Sequence, residues 1–272
     1  MKMVIAGGGT GGHVLPAIAV LQEMRRRGVE PDCLWIGSTS GVEAALARQY
    51  GVPFHAIQTG KLRRYFSPQT ALDAARLPVG YAQAWRLLRS FRPDVVFSTG
   101  GFVSVPTVAA AARIAPILTH EQTAVIGLAN RINNHFSDVL ALSYEDCASL
   151  VGGKKLRVEV TGNPVRANLA GGNAARGRER FGFTPELPLI YVTGGAKGAS
   201  PLNTRIESLL PDLLAGCQIL HQTGASTING DAPRLSALRA TWPEELQRRY
   251  QVVEFIGDEM ADVYAAATLV IG

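Results

Sequence analysis

Apolar and polar positions alternate along this chain in two rhythms. Short apolar runs rich in Val, Ile and Leu predict strands at 3–6, 33–36, 54–57, 95–98, 117–120, 139–141 and 158–161. Between them, apolar residues recur at helical spacing and predict helices at 14–27, 41–50, 79–89, 105–112, 127–134 and 145–150. Ser40 and Glu43 have capping-box spacing and mark the start of the second helix. The strands are apolar on both faces, which predicts an α/β fold with a parallel sheet covered by helices. Asn163-Pro164 interrupts the pattern, and a Gly-rich, charged stretch follows at 171–180. A second alternation then predicts strands at 189–193, 218–222, 252–256 and 269–271, with helices at 201–213, 243–249 and 259–267. The expected domains are therefore 1–162 and 163–272. The pattern stops at Gly272 directly after an apolar strand. A full doubly wound unit has about six strands, so the expectation is a second domain truncated at its C-terminus.

Composition narrows the class. Of the 272 residues, 47% are hydrophobic and 18% charged, which fits a globular protein with a sizeable core. The net charge of +5 favours anionic partners: phosphorylated metabolites, nucleic acid or an anionic membrane surface. Nucleic acid is disfavoured, because aromatic residues are sparse and no dense basic run is interleaved with them. Cys33, Cys147 and Cys217 form no CxxC pair, which suits a reducing compartment. No signal peptide is visible, and no apolar run is long enough to predict a membrane span.

Three glycine pairs follow predicted strands: Gly11-Gly12, Gly100-Gly101 and Gly194-Gly195. Glycine permits positive φ and close backbone approach, and the following helix offers unpaired N–H groups and a partial positive charge. Each loop is therefore either a tight turn or an anion clamp. Gly7-x-Gly9-x-x-Gly12 formally matches a dinucleotide fingerprint. That reading requires an acidic residue at the end of the second strand. The strand ends Leu34-Trp35-Ile36-Gly37-Ser38, and Glu43 lies inside the next helix, so a dinucleotide is discounted. No Walker-A lysine follows any of the loops.

His13 stands at the entrance of the first helix. It is either a polar helix-start residue or a general base whose neutral form the helix terminus favours. His120-Glu121-Gln122 closes a strand at the expected crevice edge, as exposed turn residues or as site residues. Arg166 is either a surface arginine or a phosphate contact. The stretch Lys61, Leu62, Arg63, Arg64, Tyr65 and Phe66, with Leu72, Arg76, Leu77, Val79, Tyr81, Trp85, Arg86 and Arg89 after it, mixes apolar and basic residues. It reads as amphipathic helices packed on the first domain or as a peripheral membrane patch. No His, Cys, Asp or Glu cluster has metal-ligand spacing, so no metal is implied.

Several motifs occur in order: Gly8-Gly9-Thr10-Gly11-Gly12-His13, Ser98-Thr99-Gly100-Gly101-Phe102-Val103-Ser104-Val105-Pro106, His120-Glu121-Gln122 and Thr161-Gly162-Asn163-Pro164-Val165-Arg166. Thr193-Gly194-Gly195-Ala196-Lys197-Gly198-Ala199, His221-Gln222-Thr223-Gly224 and Phe255-Ile256-x-Asp258-x-Met260-Ala261-Asp262-x-Tyr264 follow. Over its whole length the chain resembles the MurG family, the peptidoglycan GlcNAc transferases of bacteria. The resemblance implies a GT-B fold of two Rossmann-like domains facing a cleft. It implies inverting transfer of GlcNAc from UDP-GlcNAc to the C4 hydroxyl of MurNAc in lipid I (undecaprenyl-pyrophosphoryl-MurNAc-pentapeptide), giving lipid II at the cytoplasmic face of the cell membrane, without a cofactor.

By the same resemblance, Thr10, Gly11, Gly12, Gly100 and Gly101 contact the acceptor pyrophosphate. His13 is the candidate base, with Glu121 as helper or alternative. Thr123, Arg166, Gly195, Ala196 and Ile256 match donor contacts. Thr123 stands where the family usually has Asn, and Ala196 where it usually has Ser. The family also continues past this point with a ribose-binding Glu and a Gln-containing segment. The expectation is that the 272-residue chain alone binds UDP-GlcNAc poorly. Two alternatives remain open: a transferase for another lipid acceptor, and an acceptor-binding half of a split protein.

Overall fold

The computed structural model describes residues 1–39, 41–60, 68–151, 156–224 and 230–272, with the side chains of 68–75 outside that description. Ser40, the 61–66 stretch and the Leu72 side chain therefore lie outside the described residues. The chain divides into two units, Met1–Arg166 and Ala167–Gly272. Among the described residues no helix is long and apolar enough to cross a membrane.

The first unit runs β1 (Lys2–Gly7), α1 (Gly11–Arg26), β2 (Asp32–Ser38), α2 (Glu43–Gln49), β3 (Phe54–Ile57), α3 (Pro68–Phe91), β4 (Val95–Gly100), α4 (Ser104–Ala111), β5 (Ile117–Glu121), α5 (Leu128–Asn133), β6 (Val139–Leu142) and β7 (Arg157–Val160). Among the described residues these seven strands are parallel in the order β3-β2-β1-β4-β5-β6-β7. The period-2 geometry of a strand sorts its apolar residues between two cores. Val4 and Ala6 of β1 join Leu34, Ile36, Ala84, Leu88 and Val108 on the α3/α4 side. Met3 and Ile5 join Cys33, Trp35, Val14, Ile18 and Leu21 on the α1 side. Each fully buried Ile or Leu contributes about 1.5–3 kcal/mol. The strand order reverses direction between β1 and β4, so their carboxyl ends open a crevice where a doubly wound sheet binds ligands.

The second unit comprises α6 (Ala174–Phe181), β8 (Leu189–Thr193), α7 (Ser200–Leu213), β9 (Gln218–Gln222), α8 (Asp231–Ala240), α9 (Glu244–Arg249), β10 (Tyr250–Val253), α10 (Met260–Ala266) and β11 (Leu269–Ile271). Among the described residues its four parallel strands are ordered β10-β9-β8-β11.

Several elements differ from expectation. Helix α1 starts at Gly11, so Gly11, Gly12 and His13 form its first turn rather than a loop before it. Helix α3 continues through Pro78, where the sequence predicted a start. Residues Glu145–Leu150 wind as a 3₁₀ helix, with Cys147 buried. The 171–180 stretch holds helix α6, capped by Asn173 Oδ1 accepting from the Arg176 N–H and ended by Gly182 at φ +70°. A side chain at Gly177 would collide with the Asp262 carbonyl of α10, so glycine permits this close helix approach. Helix α8 also went unpredicted. Strand β10 begins at Tyr250, two residues earlier than expected, because Tyr250 is fully buried while Phe255 is 60% exposed.

Candidate functional site

The end of β1 is held in place by Trp35, whose buried indole N–H donates to the Gly7 carbonyl at 2.9 Å. Thr10 follows with extended backbone and makes no side-chain cap to α1. The N–H groups of Gly11 and Gly12 therefore head a helix without intrahelical partners, as at any helix start. Opposite them, the register of β1 with β4 shifts between Ala6 and Gly7: Ala6 faces Ser98, but Gly7 faces Gly100. Thr99 is the extra residue, a bulge of the kind that re-aims side chains beside sites.

That bulge orients His13. The Thr99 carbonyl lies 3.1 Å from His13 Nδ1, and the Thr99 hydroxyl donates back to the His13 carbonyl. A carbonyl only accepts, so Nδ1 carries a proton, and in the neutral imidazole the lone pair falls on Nε2. The Gln122 amide also donates to the Thr99 carbonyl, at 2.8 Å. Gly100 and Gly101 have φ of +81° and +79°. A Cβ on Gly101 would lie 2.6 Å from the Gly8 carbonyl and 3.0 Å from His13 Cδ2, so the two glycine loops touch directly.

His13 faces a cavity of about 360 Å³, whose other walls include Gly101, Phe102, Glu121, Thr123 and Asn130. Glu121 is only 2% exposed. Its carboxylate accepts from the Thr123 N–H at 3.1 Å, the Thr123 hydroxyl at 2.8 Å, the Gly127 N–H at 2.9 Å and Asn130 Nδ2 at 2.9 Å. The Thr123 hydroxyl also lies 2.7 Å from the Val125 carbonyl. With one proton between two acceptors, it has only lone pairs to offer a ligand.

Of the trio at the end of β5, His120 and Glu121 line different cavities. Glu121 lines this cavity, while His120 lines a separate apolar one and bonds through Nε2 to the Gly162 carbonyl at 3.1 Å. Burial pushes the His120 imidazole below its usual pKa. Strand alternation sends neighbours to opposite faces, which accounts for the split. Arg166 is half-buried and is not among the residues lining the His13 cavity.

In the second unit, Gly195 and Ala196 are exposed between β8 and α7. The Gly195 N–H donates to Thr193 Oγ1 at 3.0 Å, and the Gly195 carbonyl accepts from Gln222 Nε2 at 3.1 Å. Gln222 Oε1 accepts from the Tyr191 hydroxyl at 2.9 Å and the Ile256 N–H at 3.2 Å. The Ile256 N–H is thus already bonded, so a ligand there meets its carbonyl.

Beneath these loops lies a polar chain. His221 is fully buried, with Nδ1 2.9 Å from the Tyr250 hydroxyl and Nε2 3.0 Å from Asn203 Oδ1. Asn203 Nδ2 donates to Asp231 at 2.9 Å, and Arg234 pairs with Asp231 and Glu207. Burial holds the His221 pKa down at about 4, against an ordinary value of 6.5. The folded state therefore refuses a proton that the unfolded chain accepts. Stability should be unaffected by this group above about pH 6.5 and should fall by roughly 3 kcal/mol between there and pH 4. Asp231, whose pKa hydrogen bonding lowers against the opposing effect of burial, titrates below that window. Urea melts of the wild type and His221→Gln at pH 7.5 and 4.5 should show the wild type losing more stability on acidification. Equal losses would contradict a buried neutral imidazole.

Sequence reasoning assigned no role in the first site to three residues that shape it. Asn130 braces Glu121, Thr99 sets the His13 tautomer, and Glu43 bonds the Gly9 N–H at 2.9 Å. Only the S-T-G-G spacing after β4 carried a hint of Thr99. Glu43 does reach the first loop, but its two oxygens are bonded to backbone and to Ser38, so it offers nothing to a ribose.

The chain is also similar to known proteins in sequence and fold. Residues 3–141 match the glycosyltransferase family 28 N-terminal domain, and 189–272 match its C-terminal domain. The UDP-N-acetylglucosamine--N-acetylmuramyl-(pentapeptide) pyrophosphoryl-undecaprenol N-acetylglucosamine transferase of Lachnospira eligens is 38% identical, over 99% of this chain and 72% of the relative. The Legionella pneumophila (strain Lens) protein of the same description is 36% identical, over 99% and 70%. The crystal structure of Acinetobacter baumannii MurG superposes with a TM-score of 0.66 at 26% identity, covering 99% of this chain and 72% of that one. Two parallel-sheet units, both family 28 domains and relatives at this identity mean that the chain belongs to glycosyltransferase family 28, within the MurG family of N-acetylglucosamine transferases.

Proposed function

We propose that the protein transfers GlcNAc from UDP-GlcNAc to the C4 hydroxyl of MurNAc in undecaprenyl-pyrophosphoryl-MurNAc-pentapeptide, the reaction that makes lipid II for peptidoglycan. The observation that carries this reading is His13, whose Nε2 lone pair is preset by the Thr99 carbonyl on the wall of a cavity beside an uncapped helix terminus. The acceptor pyrophosphate binds the N–H groups of Thr10, Gly11 and Gly12 and the Gly100-Gly101 loop. His13 Nε2 takes the proton from the acceptor hydroxyl. The oxygen then bonds the anomeric carbon as its bond to the UDP phosphate breaks, which inverts that carbon. Glu121, whose carboxylate accepts from Thr123, Gly127 and Asn130, holds the 123–130 loop. On the donor side, the Gly195-Ala196 loop of the second unit meets the UDP phosphates, and the Ile256 carbonyl of the same unit accepts from the uracil N–H.

The acceptor lies in a membrane, and helix α3 supports peripheral docking at its cytoplasmic face. Val79, Tyr81 and Trp85 are 50%, 44% and 38% exposed, and the Arg89 guanidinium sits 4.7 Å from the Trp85 ring. Apolar insertion beside arginines suits an anionic surface. Labelled UDP-GlcNAc offered with the lipid-linked acceptor should give labelled disaccharide-lipid, faster from anionic than from neutral vesicles. No label on that acceptor, with label on diacylglycerol, would overturn the reading.

A further inference from the structure

Glu43 is fully buried beneath the first glycine loop. Its Oε1 accepts from the Ser38 N–H at 2.8 Å and the Ser38 hydroxyl at 2.6 Å, and its Oε2 accepts from the Gly9 N–H at 2.9 Å. Three glycines make room for it: a Cβ on Gly8, Gly37 or Gly41 would collide with the Glu43 side chain. Gly9 itself is held at φ +88°. Strand β2 supplies Ser38, helix α2 supplies Glu43, and together they grip a loop 34 residues earlier in the chain. The carboxylate thus occupies one loop N–H permanently, just before the unpartnered N–H groups at the head of α1.

We propose that Glu43 is the positioning residue of the acceptor site: by taking the Gly9 N–H it holds the glycine loop in the form that receives the acceptor diphosphate. The inference rests on the reading that this loop binds that diphosphate. Two effects of the residue oppose each other. As a negative charge behind an anion site, Glu43 repels a diphosphate, so removing the charge alone should tighten binding. As a clamp on Gly9, it organises the loop, so removing it should weaken binding. In Glu43→Gln the amide oxygen can keep Ser38, but the amide NH₂ then faces the Gly9 N–H, donor against donor.

The test compares wild type, Glu43→Gln and Ser38→Ala. Ser38→Ala removes one hydroxyl bond to Glu43 but leaves the Gly9 clamp, and it controls for loss of stability. Glu43→Gln is expected to raise the KM for the lipid-linked acceptor by roughly tenfold, as for one lost hydrogen bond to a charged group. The KM for UDP-GlcNAc should stay unchanged. Hydrogen exchange at the Gly9 amide should quicken in Glu43→Gln only, while Ser38→Ala lowers the melting temperature without moving the acceptor KM. An acceptor KM that is unchanged or lower in folded Glu43→Gln would overturn the proposal, as would an equal KM rise in Ser38→Ala. If the wild type fails to glycosylate the lipid-linked acceptor, the functional reading has failed. Titration of inorganic pyrophosphate into wild type and Glu43→Gln then decides the positioning role: weaker binding by the variant supports it and equal binding ends it.

Discussion

His13→Ala is expected to lower turnover by about 10²–10⁴-fold, the usual contribution of a positioned general base, with the KM for UDP-GlcNAc little changed. Among the described residues the side chain bonds through Nδ1 to the Thr99 carbonyl, and His13 lines the cavity. Removing it therefore costs the fold little, because Thr99 keeps its bond to the His13 backbone carbonyl and its bond from Gln122. Chemistry and stability should separate cleanly: a melt close to wild type beside a collapsed kcat. His13→Gln presents an amide near the position of the imidazole but has no basic lone pair, so it should be as slow as the alanine variant. Steady-state rates with saturating donor and lipid-linked acceptor check this. Wild-type turnover in either variant would remove His13 from proton transfer.

Glu121→Ala should behave in the opposite way. Four donors converge on a carboxylate that is 2% exposed, and alanine leaves the N–H groups of Thr123 and Gly127 and the Asn130 amide without it. An unsatisfied buried polar group costs about 1–3 kcal/mol, so several together should destabilise by at least about 3 kcal/mol. For a unit of this size that lowers the melting temperature by about 6–12 °C. Turnover should fall as well, because Thr123 and Asn130 line the same cavity. Glu121→Gln separates bracing from base catalysis. Its amide oxygen can keep the Thr123 bonds, and Asn130 can turn its own amide to accept from the new NH₂. Partial recovery of both melting temperature and turnover is the expected result. A glutamine variant with a native melt but no turnover would instead make Glu121 the base.

The contrast between these two residues traces how far the linear pattern reaches. His13 stands out because a glycine loop, a helix start and an imidazole are adjacent in the chain. Glu121 stands out because it ends a strand. Their roles depend on contacts between distant residues. Thr99, which sets the His13 tautomer, is 86 residues away, and it is free to do so only because β4 bulges against β1. Glu43 looked like one more helix residue, since nothing local shows that α2 turns its carboxylate back onto Gly9. Helix α6 was hidden for a related reason. Its sequence is charged and carries a glycine, and its helical state is supported by Gly177 packing against the α10 backbone and by the 2.7 Å Arg176–Asp262 ion pair.

Most strands were legible because burial on both faces leaves continuous apolar runs that need no partner to recognise. The first glycine loop was legible because φ preference and helix polarity act within a few residues. By itself, then, the sequence determined the α/β alternation, the parallel sheets and the anion-ready turn beside His13. The tertiary structure decided which nitrogen of His13 meets the Thr99 carbonyl, which donors converge on Glu121, and that Glu43 occupies the Gly9 amide. The physical reason is reach: backbone propensity and side-chain alternation are local, whereas hydrogen-bond satisfaction inside a core is set by groups that only folding brings within three ångströms.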